Sequence, residues 1–234
     1  MPTKSYKSIL YNGLSFIPSQ GIFNYLTEEE KNTLAKRTTL MSYTRHDILF
    51  KQMMPSDHIV FVIEGLIKVY KSGKGPRLVC ISIAGPGDFA GLSSAFGATE
   101  YSFSSSAIES TKALMIRKEA FFDLVKSNGQ FSLALTKLIS TDYLEISNKL
   151  VNFSVKQLPG RVADLIRYFS EDIFKSEDFT VPLTRQEMAE LIGTTKESLI
   201  RTLNEFKNDK LIELDGKRIK IVSHELISIL SELG

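Results

Sequence analysis

The stretch Leu183–Phe206, LTRQEMAELIGTTKESLIRTLNEF, admits few folds. Thr184-Arg185-Gln186-Glu187 has the form of a capping box, in which the threonine hydroxyl accepts from the N–H of Glu187 and the glutamate reaches back to the cap. Met188, Leu191 and Ile192 follow at helical spacing and give one apolar face. Gly193 ends that helix where a left-handed residue is wanted. Thr194-Thr195-Lys196-Glu197 repeats the box and predicts Thr194 as the cap of a second helix. That helix carries Leu199, Leu203 and Phe206 inward, and the small Ala189 permits a close crossing of the pair. Two capped helices around one glycine fit a helix-turn-helix.

The outer face of the second helix carries chemistry. Lys196, Glu197 and Arg201 lie there together, with Glu197 and Arg201 one turn apart. Arginine donates two bonds to guanine O6 and N7, and glutamate accepts from cytosine N4. Glu197 has a second reading, as the cap partner of Thr194 in a surface ion pair with Arg201. A hairpin follows: Leu211–Leu214, then Asp215-Gly216 as a type I′ turn, then Lys217–Val222. Lys217, Arg218 and Lys220 suit phosphate contact. Helix, turn, helix and hairpin make a winged helix.

TRQEMAELIGTTKESLIRTL resembles the recognition segment of the Crp/Fnr family of bacterial transcription regulators. The resemblance implies phosphate contacts from Thr184, Arg185, Gln186 and Thr195, and base reading by Lys196, Glu197 and Arg201. Arginine is frequent in the family where Lys196 stands, and Ser or Gly where Ile200 stands. Ile200 suits contact with a thymine methyl.

Charge alone does not point to DNA. Residues 157–234 hold 11 basic and 14 acidic side chains, whereas the window 196–220 holds seven basic and five acidic. The reading therefore rests on where the charges sit, with Glu171-Asp172 and Glu177-Asp178 expected away from DNA. The single cysteine, Cys80, excludes an internal disulfide and a four-cysteine metal site within one chain. No long apolar run and no signal-peptide core is present, so a cytoplasmic protein with no membrane partner is expected.

The rest of the chain falls into order around this module. Thr27-Glu28-Glu29-Glu30 caps a short helix that runs to about Lys36. From Thr39 to Arg117 the pattern is short strands between Gly, Pro, Asp and Ser clusters, as in a closed barrel or sandwich. It includes His58–Gly65, Leu66–Tyr70, a hairpin tip at Ser72-Gly73-Lys74-Gly75, Leu78–Ile83, Ser102–Glu109 and Lys112–Arg117. A short helix spans Glu119–Lys126, and a long one Phe131–Phe153. In the long helix Leu135, Leu138, Ile139, Ile146, Leu150 and Phe153 form a stripe with partial 3–4 spacing. That stripe reads either as a dimer seam or as packing on the strands before it; the length of the helix favours the seam. Pro159-Gly160 reads as a break and hinge, with a helix over Arg161–Phe169 and a terminal one over Leu226–Leu230.

EGLIKVY, the Gly-rich tip and GPGDFAG are similar to the cyclic-nucleotide-binding β-roll of Crp/Fnr proteins. The resemblance thus implies an α+β chain: a jelly-roll-like sensing domain over 1–127, a dimerisation helix over 128–156 and a winged helix-turn-helix over 157–234. It further implies a homodimer on a palindromic operator, with RNA polymerase and a small-molecule effector as partners. Relative to the family's cyclic-AMP cassette, Gly91 is kept, Leu92 stands at the glutamate and the arginine position falls near Ser102. No basic residue lies between Phe89 and Thr111, and a buried phosphate needs a charged or multi-donor partner. Cyclic AMP bound in the usual way is therefore not expected.

Ser93, Ser94, Ser102, Ser104 and Ser147 remain as pocket candidates, with the amides of Gly87 to Gly91 as an anion nest. A roll without ligand is the other reading, and the cofactor is left unassigned. Haem, known in the family, finds only His46, His58 and His224, none in a haem motif. No metal-ligand cluster, P-loop or nucleophile–base pair points to an enzyme. A ligand-binding module with a purely structural helix-turn-helix is the competing function.

Overall fold

The computed structural model describes residues 10, 11, 14, 15, 17–72 and 78–234. Gly73-Lys74-Gly75 of the expected hairpin tip lies outside them. Two compact units result: Met1–Pro76 with Ile81–Leu144, and Arg77–Cys80 with Glu145–Gly234.

The first unit opens with a two-stranded ribbon, β1 (Leu10–Tyr11) and β2 (Leu14–Ser15), a 3-10 turn over Gly21–Tyr25 and helix α1 (Glu28–Ala35). The capping box of α1 is formed as expected, with Thr27 and Glu30 bonded in both directions. Eight strands follow: β3 (Thr38–Tyr43), β4 (Ile48–Phe50), β5 (His58–Glu64), β6 (Ile67–Ser72), β7 (Leu78–Ala84), β8 (Phe89–Ala90), β9 (Ser104–Ala107) and β10 (Thr111–Arg117). They form two four-stranded sheets, β3-β10-β5-β8 and β4-β9-β6-β7. This is a β-roll.

Alternation along the central strand β5 explains the layering, because successive side chains of a strand point to opposite faces. Val60 and Val62 enter an inner cluster with Leu49, Phe50, Ile67, Ala84, Ala90, Tyr101, Ala107 and Ala113. Ile59, Phe61 and Ile63 face the other way, onto helices. Buried on both faces, the strand reads as a continuous apolar run. The helical layer comprises α1, helix α2 (Leu92–Gly97), helix α3 (Lys118–Ser127) and the start of helix α4 (Gly129–Val155). A run of aromatic contacts, Phe23–Phe61 at 4.9 Å, Phe61–Phe89 at 4.8 Å, Phe89–Phe121 at 5.8 Å and Phe121–Phe131 at 5.3 Å, joins sheet to helices. Gly65 ends β5 at φ +81°, and a Cβ there would lie 2.3 Å from the Ser110 carbonyl, so only glycine fits.

Helix α4 corrects the expected stripe. Leu135 is buried in the helical core of the roll and Leu138 packs against that core, so neither lies on an outward seam. Ile139, Ile146 and Leu150 are 40%, 51% and 67% exposed, as is Tyr143 at 69%. The outward residues 139, 143, 146 and 150 follow 4–3–4 spacing, the seam period. Apolar periodicity located the helix, but it merged two different faces.

In the second unit α4 ends at Val155 and helix α5 (Leu158–Arg167) begins after Gln157. Pro159-Gly160 is therefore not the break. Proline is tolerated in a first helical turn, where its missing N–H would be unpaired anyway, and the break lies at Lys156-Gln157. Gly160 is needed for close approach, since a Cβ would meet the Gly234 backbone at 2.8 Å. The helix expected over Arg161–Phe169 starts earlier and passes into a π turn at Tyr168–Phe174. Then come strand β11 (Asp178–Thr180), helices α6 (Arg185–Leu191) and α7 (Lys196–Asn208), strands β12 (Ile212–Asp215) and β13 (Arg218–Ile221), and helix α8 (His224–Leu233). The wing is a three-stranded sheet, β11-β13-β12; the three-residue β11 was not anticipated. The terminal helix is longer than Leu226–Leu230 at both ends.

Candidate nucleic-acid interface

Helix α6 starts as its sequence dictates. Thr184 Oγ1 accepts from the N–H of Glu187 at 3.2 Å, and the Thr184 N–H donates to Glu187 Oε2 at 2.8 Å. Met188, Ala189, Leu191 and Ile192 are buried, and Gly193 takes φ +64°. The second box is corrected. The cap of α7 is Thr195, which accepts from the N–H of Ser198 at 3.2 Å. The Thr194 N–H instead returns to the Ala189 carbonyl and closes the turn. Glu197 is thereby not a cap partner.

Leu199, Thr202, Leu203 and Phe206 fix α7 from inside. Lys196, Glu197, Ile200 and Arg201 stand on the outer side. Glu197, Ile200, Arg201, Asn204, Glu205 and Asn208 line one open groove along the helix. Neither Glu197 nor Arg201 is held in an ion pair among the described residues, so the surface pair of the second reading is not formed. Asn204 and Asn208 were not singled out from sequence, although Asn204, seven residues after Glu197 and three after Arg201, and Asn208, seven after Arg201, carry the signal.

The expected phosphate contacts are placed differently: each already has an internal partner. Arg185 Nη2 donates to the Gly216 carbonyl at 2.6 Å and Nη1 lies 3.1 Å from Met188 Sδ. Its half-buried setting holds the guanidinium below its usual pKa through desolvation. Gln186 donates to Glu190 at 3.0 Å, and Lys217 to the Pro182 carbonyl at 3.1 Å. Arg218 Nε donates to Asp178 Oδ1 at 2.7 Å, and Lys220 pairs with Glu213 at 3.1 Å. The hydroxyls of Thr184 and Thr195 serve their caps and also donate to Glu187 and Ser198. Asp178, expected to be remote, is thus bound to the wing through β11.

The wing turn is also corrected. Asp215 pairs with Arg218, so the two-residue loop is Gly216-Lys217. Gly216 has φ +54° and Lys217 is not among the positive-φ residues. A type I′ turn needs two such residues, whereas a glycine-first loop needs one.

In the roll, the expected pocket residues do not behave as a set. Gly91 is left-handed at φ +85° and precedes α2. Leu92 is buried in the helical core rather than turned to the inner cluster. Ser93 is exposed. Ser94 Oγ accepts from the Ser102 N–H at 3.0 Å, and Ser104 Oγ from the Gln52 N–H at 2.9 Å. Ser147 lies half-exposed on α4, in the other unit. Tyr101 stacks on Phe50 at 4.3 Å and donates to the His58 carbonyl at 2.6 Å, beside Gly91. In the Gly87–Gly91 loop the N–H groups of Gly87 and Asp88 donate to the Val62 and Gly85 carbonyls at 2.9 and 3.0 Å, so these two amides of the expected nest are already engaged, and Asp88 Oδ2 accepts from the Gly85 N–H at 2.8 Å. Cys80 is buried and has no disulfide partner. No group of three or more candidate metal ligands occurs among the described residues. No described helix is long and apolar enough to cross a membrane.

Comparison with known proteins agrees with this geometry. Residues 40–128 match the family model described as cyclic nucleotide-binding domain, and residues 160–227 that described as Crp-like helix-turn-helix domain. The CRP-like cAMP-activated global transcriptional regulator of Mycobacterium tuberculosis is 24% identical over 212 residues, covering 89% of this chain and 95% of the relative. The anaerobic regulatory protein of Bacillus subtilis is 24% identical over 221 residues, covering 92% and 91%. Among solved structures, FixK2 from Bradyrhizobium japonicum superposes with a TM-score of 0.77 at 17% identity, over 82% of this chain and 96% of that one.

Proposed function

Because the chain belongs to the Crp/Fnr family of transcription regulators, we propose that it acts as a homodimer on a palindromic operator, with one α7 in each of two major grooves. The protein is a sequence-specific DNA-binding transcription regulator. The observation that carries the detailed reading is the outer face of α7. Lys196, Glu197 and Arg201 are exposed on a helix whose other side is locked in the core. Arg201 reads guanine, Glu197 reads cytosine, and Lys196 adds a positive charge with less directional bonding. Thr184, Arg185, Gln186, Thr195, Lys217 and Arg218 meet the phosphates, the charged ones by exchanging their internal partners.

The outward residues of α4, at seam spacing, support a dimer through segment 128–156, between a sensing segment over 1–127 and a DNA-binding segment over 157–234. RNA polymerase is the expected protein partner, the cytoplasm the expected site of action, and no catalytic step is assigned. Selection from random duplex DNA tests the reading. A palindromic consensus with half-site centres one helical turn apart, roughly 34 Å, is expected; recovery of unrelated sequences sinks it.

The effector differs in chemistry from a cyclic nucleotide held in the usual way. Supporting this are the absence of any Lys or Arg from Phe89 to Thr111, the buried Leu92 and the aromatic pair beside Gly91. Calorimetric titration with cyclic AMP is expected to give no heat of binding. Saturable binding overturns this part, while an absorption spectrum of protein from its host tests haem.

A further inference from the structure

We infer that Phe153 and Arg161 form the link through which the long helix α4 sets the orientation of the helix-turn-helix. The inference deepens the DNA-binding and dimer reading above by naming positioning residues that touch no DNA.

Arg161 lies in the first turns of α5. Its Nη1 donates to the Ile192 carbonyl at 2.9 Å and reaches the Gly193 carbonyl at 3.5 Å. These carbonyls end α6, where helix oxygens lack intrahelical partners and the helix dipole favours a cation. The guanidinium therefore holds the turn that leads into α7. Its outer side is covered by Phe153, on the last turn of α4, with Cζ 5.9 Å from the ring centroid. Phe153 also borders the turn itself: a Cβ on Gly193 would lie 4.0 Å from Phe153 Cε2 and 3.7 Å from Arg161 Nη1.

Phe153 continues the outward spacing 139, 143, 146, 150 by three more residues, yet it is only half-exposed. Within the subunit its ring is faced by Arg161 and by Lys149 Nζ at 5.7 Å. One apolar stripe thus ends against Arg161, the side chain that grips the α6–α7 turn. Arg161 Nε is buried and has no partner. Buried donors are rarely left so.

A second connection joins the same helices but ends elsewhere. Lys156 Nζ pairs with Asp164 at 2.8 Å and donates to the Ser231 carbonyl, while Asn152 donates to Asp164 at 3.3 Å. That network ties α4 to α5 and α8. The Phe153–Arg161 link is the one that terminates on the helix-turn-helix.

The test uses the full chain with Phe153→Ala, Phe153→Trp and Arg161→Lys. Spin labels at Asn148→Cys on α4 and Glu205→Cys on α7, both exposed, report orientation without DNA, in samples diluted with unlabelled chain; the native Cys80 is buried. Phe153→Ala and Arg161→Lys are expected to broaden the distance distribution, and Phe153→Trp to keep it narrow. On DNA, one base pair inserted between half-sites turns one of them by about a tenth of a helical turn. The wild type is expected to lose about tenfold in affinity on that insertion, and Phe153→Ala only about threefold, with the half-site sequence unchanged.

An unchanged distance distribution in Phe153→Ala overturns the link, as does loss of melting cooperativity without recovery in Phe153→Trp, which marks a merely structural role. Broadened distances in a protein that selects no DNA sequence count against the DNA reading and leave the link standing.

Discussion

Arg201→Ala separates base reading from general affinity for DNA. Arg201 is exposed and in no ion pair among the described residues, so its removal leaves the fold nearly untouched, within about 0.5 kcal/mol. A bidentate arginine–guanine contact is worth about 1–3 kcal/mol of discrimination. Two subunits on a symmetric site double that to about 2–6 kcal/mol, or about 30-fold to 10⁴-fold in Kd. Arg185→Ala is the control, because it removes the same charge from a different setting. It breaks the 2.6 Å bond to the Gly216 carbonyl and costs the fold about 1 kcal/mol, a figure reduced for its contact with solvent. Both variants are measured by fluorescence anisotropy on the selected operator and its single-base-pair variants, at fixed salt, beside thermal melts. Arg201→Ala is expected to bind weakly, to melt like wild type and to become indifferent to one base pair per half-site. Arg185→Ala is expected to melt earlier and to lose affinity evenly across sequences. If Arg201→Ala loses the same factor on every variant, it is a phosphate contact and the recognition argument is wrong.

Other outcomes follow from single partners in the structure. Asp178→Asn releases Arg218, so DNA binding tightens at low salt and the salt dependence steepens by about 0.9 per added phosphate contact. Arg218 holds the Asp178 carboxyl below its usual range; the pair is intact above the ordinary carboxylate pKa and is lost as pH falls through the lowered one. Wild type should therefore approach the variant's salt dependence on acidification, and an unchanged slope in Asp178→Asn excludes a phosphate role for Arg218. Burial pushes the Tyr101 hydroxyl up to about 12, so its neutral form contributes stability that is complete below about pH 10 and lost as pH rises through 12. Tyrosinate absorbance should show this late step, and Tyr101→Phe should remove it and cost about 1 kcal/mol. Leu150→Asp should convert the dimer to monomer in sedimentation while the thermal melt at high dilution stays put; a persisting dimer places the seam elsewhere.

Much of the helix-turn-helix was legible because caps and apolar spacing are local signals. What misled was degeneracy at short range. Thr194 and Thr195 both precede a plausible helix, and only the return of the Thr194 N–H to Ala189 decides between them. Pro159-Gly160 carries the composition of a stop, yet proline in a first turn is a start. The stripe of α4 was visible as a period, but Leu135 and Leu150 differ in what covers them, and coverage belongs to the tertiary fold. Strand β11 is three residues long and exists because β13 offers it an edge. The partners of Arg161, 31 and 32 residues away, left no local trace. In the roll, the missing arginine was readable, whereas the occupation of its surroundings by Phe50 and Tyr101 was not.

The internal partners of the phosphate-facing cations bear on how the protein would search a genome. On the proposed contacts, Arg185, Lys217 and Arg218 would each surrender an internal bond before gaining one to DNA, so their net gain on any duplex would be small. Lys196 and Arg201 have no such partner among the described residues, and on the same reading Arg201 would gain most where the right base lies beneath it. Encounters with non-cognate DNA would then be brief, and dwell time concentrated at operators. A three-residue edge strand carrying Asp178 would thereby influence how quickly the regulator leaves the wrong place.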